Sequence, residues 1–151
     1  MKYTDSKDKL DTPKKILKVN HAGEFGAINI YRSQIFFSKV FLKDMVPLLE
    51  SFLADEKRHL DIFWSEIQSR NGVKCKSYWL CGLGGYVMGF ISSLLGRRGI
   101  EACTWAVESI MEDEKNHRDI GAGSGATNIW YKPLRFCISL FTETTIRFGM
   151  R

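Results

Sequence analysis

The chain has 151 residues, 44% hydrophobic, 26% charged and 13% aromatic, which excludes a disordered, fibrous or collagen-like chain and leaves one globular or membrane-associated domain. Lys and Arg outnumber Asp and Glu by 22 to 17, a net charge of +5 that points to a neutral or anionic surface as partner. The cysteines at 75, 81, 103 and 137 include no C-x-x-C pair, which argues against thiolate zinc and thioredoxin-like sites and reads as buried thiols in a cytosol-facing protein.

The first 18 residues hold six lysines among Asp5, Asp8 and Asp11. They contain no apolar h-region, and three acids argue against a mitochondrial transit peptide. Residues 1–12 are expected to be a flexible charged arm, followed by a single bundle domain over 13–151. Thr12 and Pro13 suit the N-cap and first position of a helix running to about Leu42. Along it Leu17, His21, Glu24, Ile28, Tyr31 and Ile35 fall on one face, which places Glu24 on the core-facing stripe.

Asp44 and Pro47 open a second helix that ends near Asn71 and Gly72, with Leu49, Phe52, Glu56, His59, Phe63 and Ile67 on its seam. Residues 77–96 carry no charge and lie between Lys76 and Arg97. That length suits a membrane span, a membrane-surface helix or a buried helix, and Gly82, Gly84, Gly85 and Gly89 thin its apolar content and fit a close-packed or interfacial segment as much as a span. A helical pattern resumes through Glu101, Trp105 and Glu108 until the glycines at 121–125 break it. Pro133 starts a last, basic amphipathic helix, with Leu134, Ile138, Phe141, Thr145 and Phe148 as its seam. Successive helices of this kind predict an all-α antiparallel bundle.

Two of the three histidines follow a glutamate by three residues, in Glu56-Lys-Arg-His59 and Glu114-Lys-Asn-His117, although there are only nine glutamates in the chain. Carboxylate and imidazole at this spacing share a helix face and can grip one ion. Two such pairs, with one inward Glu from each of two further helices, make a two-metal carboxylate site. Glu24 and Glu108 fill those places, each preceding its pair in the chain. Four carboxylates balance two divalent ions, which offsets the burial of so many acids. His21, one turn before Glu24, either supports the site or is simply packed.

Val19–Ala27 (V-N-H-A-G-E-F-G-A), Asp55–Leu60 (D-E-K-R-H-L), Gly99–Glu108 (G-I-E-A-C-T-W-A-V-E) and Asp113–Gly121 (D-E-K-N-H-R-D-I-G) together resemble the four metal-binding segments of the demethoxyubiquinone hydroxylase family. The likeness runs from about residue 14 to the end of the chain. It implies a ferritin-like di-iron bundle with a membrane-facing apolar helix, and an O2-dependent monooxygenase hydroxylating the ring of demethoxyubiquinol in ubiquinone biosynthesis. Glu24, Glu56, His59, Glu108, Glu114 and His117 would hold two Fe2+ ions and act through them.

The implied partners are a lipid-soluble quinone, O2, a membrane surface and other proteins of ubiquinone biosynthesis. Nucleic acid is not among them, because the basic residues form no strip interleaved with aromatics. The expected location is peripheral, on the cytoplasmic face of a bacterial inner membrane or on the matrix side of the mitochondrial one. Glu108 and Glu114 stand only six residues apart, about 240° of rotation on one straight helix. A complete site therefore requires a turn within residues 109–113, a shortened connection compared with the family. A shortened relative that binds membrane or quinone without turnover, and a ferritin-like iron-binding protein, are the rival readings.

Overall fold

Residues 5–108 and Thr144 are described by a computed structural model, with side chains over residues 14–107 and at Thr144. The first helix, α1 (Asp5–Phe41), begins two turns before the expected start at Pro13. Asp5 and Asp8 are residue types that suit the positive end of the helix dipole. The stretch read as a charged arm is thus helical from Asp5, and Thr12 is not its cap.

A 3-10 turn over Lys43–Met45 reverses the chain into α2 (Val46–Ser69), with Pro47 in its first turn. The helix α2 runs antiparallel to α1, pairing the rings of Tyr31 and Phe52 at 5.6 Å and Lys39 with Glu50 at 4.0 Å. Its end closes as expected near Asn71 and Gly72. Asn71 takes a left-handed φ of 52°, its N–H donates to the Gln68 carbonyl at 2.9 Å, and the Gly72 N–H donates to the Ile67 carbonyl at 2.8 Å, which is a Schellman closure. Both predicted seams are buried where expected: Ile28, Tyr31, Ile35, Leu49, Phe52 and Ile67 all lie inside.

The helix α3 (Tyr78–Leu94) lies parallel to α1 and turns its small residues inward. An ideal Cβ on Gly85 would stand 2.2 Å from the Gly26 carbonyl oxygen, and one on Gly89 would stand 2.4 Å from that of Ile30. Farther along, the Gln34 side-chain amide donates to the Ser92 hydroxyl at 2.9 Å. The large apolar residues of α3 point the other way, so Trp79, Leu83, Tyr86, Val87, Phe90 and Leu94 are exposed. No described helix is long and apolar enough to cross a membrane, which removes the spanning option for residues 77–96.

Gly96, at φ +70°, turns the chain into α4 (Gly96–Glu108). The Arg97 guanidinium donates to the Asp44 carboxylate and ties the two hinges at this end together. The helix expected through Glu101, Trp105 and Glu108 is present, and its buried described residues are Ile100, Ala102, Cys103, Thr104 and Ala106. Glu101 and Trp105 are half-buried, because small side chains let α4 approach its neighbours. Ala27, Tyr31, Ile35, Met45, Leu49, Phe52 and Ile100 form the largest core cluster. Cys75, Cys81 and Cys103 are thiols. The fold is an all-α bundle, with no strand among the described residues. The helix expected after Pro133 lies outside them, apart from Thr144, which is helical and exposed.

Candidate metal centre

The centre forms where the seams of α1 and α2 cross. Glu24 comes from α1, and Glu56 with His59 comes from one turn of α2. Their ligand atoms all lie within 4.8 Å of one another, with His59 Nδ1 3.6 Å from Glu56 Oε2. Glu24 is 2% exposed and Glu56 fully buried, while the His59 side chain at 23% marks the rim. Two carboxylates held this close and this deep repel each other and lose hydration. A divalent cation, ligated by these oxygens and the imidazole, is the compensation that this donor set fits.

Of the remaining predicted ligands, Glu108 is the last described residue of α4, and the backbone delivers it to the level of the centre. Cys103 and Ala106 pack with Ile30, and Val107 packs on both that cluster and the Ala27–Tyr31 cluster. At 1.5 Å per residue, Glu108 arrives within about one turn of Glu24. Glu114, His117 and the 109–113 connection lie outside the described residues.

His21 does not join the three ligands. It is 2% exposed and lies between the rings of Trp64 and Tyr78, at centroid distances of 5.3 and 5.1 Å. Burial, with Lys74 second, lowers its pKa from 6.5 to about 4, so the ring is neutral at physiological pH. The Lys74 ammonium stands over Trp64, Tyr78 and Trp79. The sequence reading missed this aromatic layer, because Trp64, Lys74 and Tyr78 share no helical period; only His21 on the α1 seam signalled it.

The sequence profile of the family described as ubiquinone biosynthesis protein COQ7 matches residues 11–113. A protein of Dictyostelium discoideum named NADPH-dependent 3-demethoxyubiquinone 3-hydroxylase, mitochondrial, is 30% identical over 102 residues, 68% of this chain and 46% of that one. A Caenorhabditis elegans protein of the same name is 31% identical over 102 residues, covering 68% and 54%. A Rhodospirillum rubrum protein named 3-demethoxyubiquinol 3-hydroxylase is 28% identical over 138 residues, covering 74% and 65%.

The chain spans about half the length of the first two relatives. In the third case, 138 aligned positions against 74% of a 151-residue chain leave about 26 positions of the relative without a counterpart inside the matched stretch. The family profile ends at residue 113, before Glu114 and His117, whereas the resemblance read from the sequence continued to the end of the chain. The buried Glu24–Glu56–His59 hairpin lies wholly inside the match, and the chain belongs to the family of the ubiquinone biosynthesis protein COQ7.

Proposed function

We propose that this protein is an O2-dependent di-iron monooxygenase that hydroxylates the ring of demethoxyubiquinol. The observation that carries the reading is the convergence of Glu24, Glu56 and His59 at a buried helix crossing, in a chain whose relatives are named as hydroxylases of this quinone. In balance, one ring C–H, O2, two electrons and two protons give one ring C–OH and water. Relatives named NADPH-dependent support NADPH as the source of the electrons.

Glu24, Glu56, His59, Glu108, Glu114 and His117 are the proposed ligands of two Fe2+ ions, which when bound supply the reduction of O2. The protein's own part is to hold these groups on stiff helices and to keep water from the two carboxylates. His59 at the rim marks the side on which substrate reaches the centre. The exposed face of α3, from Leu83 to Leu94, seats the protein on the bilayer that dissolves the quinol. The relatives named mitochondrial weigh toward the matrix side of the mitochondrial inner membrane over the cytoplasmic face of a bacterial one. Other proteins of ubiquinone biosynthesis are the proposed partners there.

The test is iron analysis of the purified chain, followed by mass spectrometry of demethoxyubiquinol incubated with it, reductant and 18O2. Two irons per chain and one labelled oxygen in the ring are expected. Iron near zero supports the relative without turnover, and iron without ring label supports the iron-binding protein; either result overturns the proposal.

A further inference from the structure

Beside the centre, five aromatic rings from three helices form one continuous path. The Trp64 ring of α2 faces His21 of α1 at 5.3 Å and 28°. His21 faces Tyr78 of α3 at 5.1 Å and 16°, and Tyr78 faces Phe25 at 4.2 Å and 9°. Trp79 meets Tyr78 and Phe25 edge-on, at 5.3 and 5.7 Å. His21, in the middle of the path, stands one helical turn from Glu24 along α1. The outer end is Trp79, 72% exposed. We propose that Trp64, Tyr78 and Trp79 form a one-electron relay that carries an oxidising equivalent from the metal centre to the surface when O2 is reduced without substrate.

The inference rests on the redox reading of the centre. Tyr and Trp are the side chains here that give up an electron to a strong oxidant, and ring-to-ring contact keeps each tunnelling step short. The neutral His21 ring adds no positive charge in the middle of the path. Lys74 Nζ lies 4.3 Å from the Tyr78 centroid, 5.3 Å from that of Trp64 and 5.9 Å from that of Trp79. A cation over a ring opposes removal of an electron from it, so the relay stays reduced against mild oxidants and answers only strong ones.

The steps balance. Tyr78 gives one electron to the oxidised centre and its hydroxyl proton to water. Trp79 then gives an electron to the tyrosyl radical, which takes a proton from water, while the indole N–H proton leaves. A soluble thiol refills the exposed indole with one electron and one proton, and the thiyl radicals from two such turns couple to one disulfide. The centre is thereby reduced without attack on its own ligands.

Two experiments on the full chain test this. In the metal-free protein, azide radicals from pulse radiolysis oxidise tryptophan, and tyrosyl absorption growing as tryptophanyl absorption decays runs the Tyr78–Trp79 step in reverse and so measures the electronic coupling that the outward step needs. Tyr78→Phe keeps the stack and should slow that growth by an order of magnitude or more, while Tyr86→Phe leaves it unchanged and Lys74→Met speeds it. In the iron-loaded protein, hydrogen peroxide without quinol should give a tyrosyl signal in electron paramagnetic resonance that Tyr78→Phe removes. Growth at the wild-type rate in Tyr78→Phe, or a peroxide signal that survives the substitution, overturns the relay while the hydroxylase reading stands. Tyr78-dependent growth in a chain that takes up no iron supports electron passage through the rings and overturns the metal reading instead.

Discussion

Replacing Gly85 and Gly23 by alanine separates helix propensity from packing, since both lie inside helices and differ only in what a Cβ meets. At Gly85 the new atom would stand 2.2 Å from the Gly26 carbonyl oxygen, and at Gly23 it meets nothing within 4 Å. Alanine gains about 1 kcal/mol over glycine in a helix interior, and at Gly23 that gain should appear almost whole. At Gly85 the obstacle is backbone, which no rotamer relieves, so α3 must retreat by about 1 Å to reach ordinary contact. Overpacking of this kind costs about 1–3 kcal/mol, and an unyielding partner puts the cost at the upper end, a net loss of about 2 kcal/mol. The variants should therefore differ by about 3 kcal/mol, or about 6–12 °C in melting temperature at this chain length. Thermal unfolding followed by circular dichroism measures it. Equal melting temperatures would show that α3 does not press its backbone on α1, and the account of its small face would be wrong.

Glu56→Ala and His59→Ala should each abolish most iron binding, and calorimetry should show it as lost stabilisation: iron at a hundred times its Kd adds about 2.7 kcal/mol to a chain that binds it and nothing to these variants. An undiminished gain in both refutes the ligand assignment. Because His21 titrates near 4 when folded and near 6.5 when unfolded, the unfolded state binds more protons between those values, and stability should fall as pH drops from about 6.5 to 4. His21→Phe should flatten that part of the profile of the metal-free protein; an unchanged slope assigns it to other groups. Leu83→Glu with Val87→Glu on the outer face of α3 should weaken sedimentation with anionic vesicles about tenfold or more, whereas Ile62→Glu, equally exposed but on α2, should not. Equal effects would mean that α3 is not the docking face.

The faces of α1 and α2 were legible because each buries one stripe of large residues. The 3-4 spacing of Ile28, Tyr31 and Ile35, and of Leu49, Phe52 and Glu56, therefore fixes rotation and neighbour together. Glu24 and His59 came with those stripes, so half of the centre could be read before any fold was known. The helix α3 defeats the same reasoning. Its inner face is made of Gly82, Gly85, Gly89 and Ser92 and its outer face of leucines and aromatics, so a rule that sends large apolar residues inward points the wrong way. In α4, too, small residues form the contact: Ala102, Cys103 and Ala106 are buried, while Trp105 is half-buried. The start of α1 was misplaced because Thr12-Pro13 reads as a cap, while nothing in the preceding turns stops a helix.

The other half of the centre depends on how a chain can bring a second pair to one level of a bundle. α3 runs parallel to α1, so α4 starts at the Asp44 end, where Arg97 is bound, and descends toward Glu24. A 13-residue helix advances about 20 Å, enough to carry residue 108 from that hinge to the metal level and little farther. A fourth ligand-bearing segment entered at Glu114 must then begin at this level too. Continuing α4 straight would turn Glu114 about 240° and His117 about 180° away from Glu108, so reversal within residues 109–113 is what the proposed six-ligand set requires. Such a reversal shortens both helices to the depth of the ions and leaves less wall below them. Retention of a full centre then rests on the stiffness of the α1–α2 hairpin, whose three proposed ligands lie along it between the Tyr31–Phe52 contact on one side and the His21–Trp64 contact on the other.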